Sequence, residues 1–325
     1  LSTLYKDKIL NLLRTSRAGF LSGEELARKC GISRTMVWKH IKSLEQDGFG
    51  INAVPSQGYR ITAEPDILRK SDILSELNTA VLGKNLHLVS KIQSTNTLAM
   101  DIATQGAPEG TVVLAEVQTA GKGRLGRSWF SPKGNIYLSV ILRPNIPLQK
   151  SPLVTLMGSV AVATAIQETC NLPALIKWPN DVYIQGKKVS GLLTEMSAEQ
   201  DRIRHLVLGI GINANMDCSH LPDDVRLHTT TLAAETHSHI NRTMLVRQLL
   251  QSLDHWYRQF LSDDQDVLKE WKKLNITLGK RVMVTDCNET FEGQALGIDK
   301  EGRLIIKRDN DTTQHIAAGD VSLKS

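Results

Sequence analysis

"QTAGKGRLGRSWFSPKGN", residues 118–135, carries four glycines and four cations, Lys122, Arg124, Arg127 and Lys133, with no acidic residue among them. Gly121, Gly123 and Gly126 spell G-x-G-x-x-G, and "GKGRLGRS" has Walker A spacing with Arg127 in place of the lysine. Either motif needs a helix directly after the glycines, so that its free amides face a phosphate. Here "SWFSPKGN" follows, with Pro132 and Gly134 inside it, and no acidic residue stands in "ILRPNIPLQK" to take a ribose hydroxyl. The stretch therefore reads as an anion-holding loop outside a doubly wound nucleotide fold.

The segments around the loop support that exclusion. "NLHLVSKI", "GTVVLAEVQ" and "NIYLSVILRP" read as strands, with "STNTLAMDIATQG" between the first two as a capped helix. Then come a long apolar helix, "SPLVTLMGSVAVATAIQETC", a strand "ALIKWP", a hairpin turning at Gln185–Lys187, and a closing strand "RIRHLVLGIGINAN". There are too few crossover helices for a parallel sheet. The pattern predicts an α+β sandwich with the cationic loop over one sheet face.

Upstream, "SGEELARK" opens with Ser22 and Glu25 in a capping box, and Cys30–Gly31 closes that helix. Ser33 starts a second helix from about Arg34 to Gln46, on which Val37, Ile41 and Leu44 form a buried face. Arg34, Thr35, Trp38, Lys39 and Lys42 lie on the other face. "FGINAVPSQGYRIT" then reads as strand, turn, strand, which completes a winged helix-turn-helix. Residues 1–65 hold ten Lys and Arg against six Asp and Glu, most of the chain's net charge of +5. Ser33, Arg34, Thr35, Trp38, Lys39 and Lys42 are the candidate DNA contacts, and which bases they read is not encoded legibly. A polar linker, "TAEPDILRKS", separates this part from the rest.

The composition bounds the remaining classes. With 325 residues, 41% hydrophobic, the chain is long enough for two or three domains with real cores. No apolar run is read as a membrane span and no signal-peptide pattern as present, so a cytoplasmic protein is expected. Cys30, Cys170, Cys218 and Cys287 lie far apart, which argues against a disulfide framework. The histidines near "CSH" at 218–220 fit no standard zinc spacing.

Three further pieces carry chemistry. "STN" at 94–96 begins a helix, so two hydroxyls, a carboxamide and free amides meet at one N-terminus. "KWPND" ends a strand at Lys177, and Pro179 stops the ladder there. "GIGIN" at 209–213 puts two glycines at a strand end, where a flat ring can approach the backbone and Asn213 can read its edge. No nucleophile system is legible, neither G-x-S-x-G nor H-E-x-x-H. A site with cations and neutral donors but no nucleophile suits a reaction whose substrates supply their own.

"STN", "QTAGKGRLGRSWFSP", "KWPND", "KVSGLLTE" and "GIGIN", in this order, resemble the biotin protein ligases, and the added winged helix resembles their bifunctional bacterial repressor form. The C-terminal segment from "LGKRVMVTD" onward alternates like a small barrel and is similar to the family's SH3-like end. The resemblance implies a winged helix-turn-helix over 1–64, a ligase domain over 65–273 and an SH3-like domain over 274–325. It implies biotin and MgATP as substrates, biotinyl-5′-AMP as intermediate and corepressor, and a biotin carboxyl carrier protein as acceptor. Ser94, Thr95, Asn96 and Gln118 would hold the ureido head, with Lys122, Gly123, Arg124, Trp129 and Lys177 around biotin. Arg124, Arg127, Lys177 and Asn213 would meet ATP and the adenylate, Lys177 and Arg124 acting in catalysis. Lys122 is a departure, since the repressor form commonly has arginine there. The metal ligands are not assigned, nor are contacts of residues 214–230. An adenylate-bound homodimer would present two winged helices to a palindromic operator, with no membrane partner. A lipoate-protein ligase and a non-catalytic biotin-sensing transcription factor are the rival readings.

Overall fold

The computed structural model describes residues 2–16, 19–200, 202–285, 289–317 and 319–323. Cys287 lies outside the described residues. The chain divides into two compact units, residues 1–67 and 68–325.

In the first unit, α1 (Ser2–Thr15), α2 (Gly23–Cys30) and α3 (Arg34–Gln46) precede an antiparallel pair, β1 (Gly50–Val54) and β2 (Gly58–Ala63). Each predicted cap forms. Ser22 Oγ accepts the Glu25 amide at 3.0 Å and Ser33 Oγ accepts that of Met36 at 3.2 Å. Gly31 ends α2 in the left-handed conformation, φ 72°, which costs glycine nothing. The α1 helix was not read from the sequence, yet its Ile9, Leu10 and Leu13 join Val37, Ile41 and Leu44 in the unit's core. Arg34, Thr35, Lys39 and Lys42 are exposed, and so is Trp38 at 51%. Trp38 therefore does not pack into the unit's core.

The second unit begins with α4 (Lys70–Leu74), β3 (Leu86–Val89), α5 (Thr95–Thr104), β4 (Val112–Ala115), β5 (Ile136–Leu142) and α6 (Ser151–Cys170). It continues through β6 (Leu175–Lys177), β7 (Asp181–Ile184), β8 (Lys187–Glu199) and β9 (Arg202–Ile212). The short helices α7 (Asp223–Arg226) and α8 (Leu232–Thr236) lead into α9 (Arg242–Ser262) and α10 (Asp264–Leu274). The seven strands β3–β9 form one sheet in the order β3-β4-β5-β9-β8-β7-β6, with only β3 and β4 parallel. This is the expected sandwich.

Alternation along the strands gives the sheet two different faces. Leu206, Leu208, Ile210 and Ile212 of β9 join Val112, Leu114, Leu138 and Val140 in a dry core with α6 and α9. On the other face Val113, Ile141 and Val207 pack against Ala99 and Ala103 of α5 at one end only. The rest of that face is left for the site. By length and composition α6 could cross a membrane, which corrects the reading that no run was apolar enough, but two-thirds of its most apolar window (67%) is buried inside the fold. The long α9 also went unread, although its Leu245, Leu249 and Leu253 repeat at helical spacing. Its Asp254, 2% exposed, accepts the amides of Ala80, Val81 and Leu82 at 2.7–3.0 Å and so fixes the approach to β3.

The chain ends in an antiparallel sheet of β10 (Arg281–Thr285), β11 (Thr290–Ile298), β12 (Leu304–Arg308), β13 (Thr313–Ile316) and β14 (Asp320–Leu323), ordered β13-β12-β11-β10-β14. This small sheet is tied to the "KWPND" turn. The Trp178 amide donates to Thr277 Oγ1 at 3.0 Å and its indole N–H to the Gly302 carbonyl at 3.2 Å. Both donors are buried, so their partners fix the turn's position.

Candidate active site

The strand register sets the floor of the site. Lys177 pairs with Asp181, Asp181 with Gly191, Gly191 with Gly211, and Gly211 with Tyr137. Residues opposite one another in neighbouring strands project to the same side, so this row crosses the open face. Two bare glycines sit in its middle, with a Lys–Asp pair at one end.

The two glycines of "GIGIN" accept flat groups, as expected, but the groups belong to the protein. A Cβ on Gly209 would lie 2.0 Å from Asn96 Oδ1, and one on Gly211 would lie 2.5 Å from the Trp129 indole. Either contact is impossible for real atoms. Gly209 thus makes room for the start of α5, and Gly211 for a tryptophan delivered by the cationic loop.

At Gly209 the polar residues form one connected set. Gln118 Oε1 accepts the Thr95 amide at 2.8 Å and lies 3.0 Å from Thr95 Oγ1, while Gln118 Nε2 donates to Ser131 Oγ at 3.0 Å. Ser139 Oγ lies 2.6 Å from Asn96 Oδ1 and 2.8 Å from Thr95 Oγ1. Because a carboxamide oxygen only accepts, the Ser139 hydroxyl donates to Asn96. Asn96 Nδ2 donates to Glu195 Oε2 at 2.8 Å. Ser94, Thr95 and Asn96 are all buried at 3–4% exposure, and Ser94 caps α5. The structure brings these residues and Gln118 together, and it adds Ser131, Ser139 and Glu195, which the sequence reading missed.

The loop itself closes as a small hairpin in which Lys122 bridges to Ser128. Gly123 donates to the Arg127 carbonyl at 2.6 Å, and Trp129 to that of Gly121 at 2.8 Å. Lys122 Nζ stands 3.6 Å from Glu195 Oε1. Arg124 donates to Asn180 Oδ1 at 3.1 Å and to the Gly319 carbonyl at 3.3 Å, whereas Arg127 pairs with Asp320 at 2.6 Å. Burial lowers the Arg124 pKa from its ordinary value, against the pull of Asp320 and Asp181. A cleft of about 180 Å³ lies behind Arg124, lined also by Thr155, Trp178, Asn180 and Gly302. It is separate from the glycine floor, and the polar residues set around that floor mark the chemistry better than this volume does.

Lys177 Nζ reaches Tyr183 Oη at 3.4 Å, and burial pulls its pKa down while Asp181 partly restores it. Burial likewise holds the Tyr183 hydroxyl well above the usual phenol range. Lys188 is the residue that sequence reasoning left without a role. It pairs with Asp181 at 2.6 Å, stands 5.3 Å from the Trp129 ring centroid, and its Nζ comes within 3.3 Å of where a Gly191 Cβ would be. Its backbone is held by residues 228–230, through bonds to the His228 carbonyl and from the Thr230 amide. The short turn at Gln185–Gly186 and the bulge between Val182 and Tyr183 together put Lys188 back beside Asp181.

Asn213 is 3% exposed and donates its side-chain N–H to the Thr230 carbonyl at 3.2 Å, binding segment 230–232 to the end of β9. Nearby, Asn135 Oδ1 accepts the amides of Ala214 and Met216. Among the described residues no group of three or more His, Cys, Asp or Glu could hold a metal ion. Cys30, Cys170 and Cys218 are free thiols whose pKa burial raises.

Comparisons with known proteins agree with this geometry. Residues 88–213 match the biotin/lipoate A/B protein ligase family, residues 6–60 an HTH domain, and residues 277–324 a biotin protein ligase C-terminal domain. The chain is 40% identical to the bifunctional ligase/repressor BirA of Bacillus subtilis over 324 residues, 99% of each chain. It is 30% identical to BirA of Escherichia coli, covering 98% of this chain and 97% of that one. The biotin protein ligase of Aquifex aeolicus, solved with biotin and ATP, superposes with a TM-score of 0.64 at 28% identity, covering 74% of this chain and 99% of that one. On its whole length, therefore, the chain belongs to the biotin protein ligase family, in the branch that joins the ligase to a DNA-binding domain.

Proposed function

We propose that the chain joins biotin to MgATP and then to protein. A biotin carboxylate oxygen attacks the α-phosphorus, pyrophosphate leaves, and biotinyl-5′-AMP forms. A lysine amine of the biotin carboxyl carrier protein then attacks the acyl carbon and AMP leaves. The observation that carries this reading is the glycine row, bounded by a hydrogen-bonding pocket at one end and by lysines and loop arginines at the other. An amphiphilic acid lying over the same sheet face beside Asn96 and Trp129 would have its uncharged polar head at Thr95 and Gln118. Its carboxylate would then point toward Lys188 and Lys177.

Each residue contributes position or charge rather than a nucleophile. Ser94, Thr95, Asn96 and Gln118 bind the ureido head. Gly123 and Trp129 cover the ring, and Lys122, held by Glu195, closes that end. Lys177 and Lys188 flank Asp181, leaving one positive charge in excess for the carboxylate and α-phosphate. Burial disfavours the charged form of Lys177, and an arriving phosphate would favour that form again through a charge-assisted bond. Arg124 meets the adenylate phosphate, Arg127 the polyphosphate, and Asn213 faces the adenine. The same reading assigns 1–64 to DNA binding, 65–273 to ligation and 274–325 to the C-terminal domain.

In the repressor role, the adenylate is corepressor and the adenylate-bound homodimer sets two copies of α3 on a palindromic operator. Ser33, Arg34, Thr35, Trp38, Lys39 and Lys42 make the contacts. Carrier protein competes for the dimer surface.

Purified chain with ATP and labelled biotin or lipoate, with and without carrier domain, tests the ligase. Biotin should be adenylated and transferred, and transfer of lipoate alone would overturn the reading. In an Arg124→Gly variant the adenylate should escape and label lysines indiscriminately. Retention as tight as the parent's would remove Arg124 from its role.

A further inference from the structure

Both arginines that the proposed function assigns to the phosphates of the nucleotide are already engaged with the C-terminal sheet. Arg127 forms its 2.6 Å ion pair with Asp320, the first residue of β14, and Arg124 donates to the carbonyl of the preceding residue, Gly319. Asn180 of the "KWPND" turn takes the other Arg124 contact. Two consecutive residues of one strand entry thus supply a carboxylate and a carbonyl to two loop cations. The set resembles, in charge and acceptor geometry, what a phosphate would offer them.

We infer that Asp320 is a positioning residue that parks the arginine loop on the C-terminal sheet, as an internal anion which the polyphosphate of ATP must displace. The inference rests on the proposed role of Arg127, and it goes further by naming the competitor. The loop then has two anchored states, one on Asp320 and one on nucleotide, and the ion pair sets the balance between them. Since both partners are half-exposed, at 58% and 43% for the side chains, the pair biases this balance without freezing it. The fully buried ties of the C-terminal sheet run through Thr277 and Gly302, so the sheet does not depend on Asp320 for its place.

Full-length Asp320→Asn protein tests this. Removing the carboxylate charge should lower the KM for ATP by about two- to fivefold, the weight of an exposed ion pair, and leave the KM for biotin unchanged. Raising ionic strength should lower the parent's ATP KM relative to that of the variant, because salt weakens the parked state only when the charge is present. A second readout needs no activity: in protein without ligands, trypsin should cut after Arg124 and Arg127 faster in Asp320→Asn than in the parent. An Arg127→Gln variant, which leaves the C-terminal sheet untouched, should show the same faster cutting after Arg124. An ATP KM that rises in Asp320→Asn, or loop cutting that is equal in all three proteins, would overturn the inference. Absence of adenylate formation by the parent would instead strike the proposed function, since the trypsin comparison would still stand.

Discussion

The two faces of the central sheet are built by the same strands from alternate residues, and they obey opposite rules. Along β9 the residues Leu206, Leu208, Ile210 and Ile212 are wholly or nearly wholly buried against helices, while the interleaved Gly209 and Gly211 give up their side chains. On the first face each methyl group adds stability by leaving water. On the second, the missing methyl groups make room for Asn96 and Trp129. A single strand thus keeps the fold with one set of residues and the function with the other, and a substitution's effect should depend on which set it strikes.

Three substitutions can break or sharpen this division. The largest effect should come from Leu208→Ala, which leaves a cavity under α6 and should cost about 2–5 kcal/mol of stability. Thermal melting would show the loss, with adenylate formation per folded molecule unchanged. If the folded fraction lost activity as well, the two faces would not be independent.

Next is Asp254, on the helix covering the apolar face. Burial alone would raise its pKa, but the amides of Leu82, Ala80 and Val81, with Arg258, hold it below the ordinary carboxylate value. A depressed folded-state pKa means stability fully present above the unfolded value near 4 and lost as pH falls through the folded one. Asp254→Ala should cost about 2–3 kcal/mol at neutral pH by stranding buried amides. Its melting temperature should fall less steeply than the parent's as the pH drops from about 5 to about 3, and parallel curves would show that the carboxylate carries no such linkage.

The smallest effect on the fold, and a selective one on the site, should come from Gly209→Ala. The new methyl must displace Asn96, an overpacking worth about 1–2 kcal/mol that the proposed biotin pocket would bear directly. The KM for biotin should rise roughly tenfold, with kcat little changed. An equal loss in kcat would mean that the head pocket also orients the carboxylate.

Much of this was legible because it is periodic or local. Caps at Ser22, Ser33 and Ser94, the tight turn at Gln185–Gly186 and the alternation of β9 each announce themselves within a few residues. The α1 and α9 helices carry helical spacing as well, in Ile9, Leu10 and Leu13 and in Leu245, Leu249 and Leu253. What sequence could not give is whatever depends on register across the sheet. Ser139 reaches Asn96 only because it pairs with Gly209, and Lys188 reaches Asp181 only through the bulge between Val182 and Tyr183. The Arg127–Asp320 pair spans almost the whole second unit, and no local pattern foretells it.

The placing of the tryptophans gives the molecule two built-in lamps. Trp178 and Trp271 are shut inside the core, whereas Trp38 stands open on the cationic helix and Trp129 lies on the glycine floor with its indole N–H unmatched among the described residues. Under the proposed function operator DNA is expected to quench Trp38 and biotin to alter the emission of Trp129, so one cuvette would watch both activities without a dye.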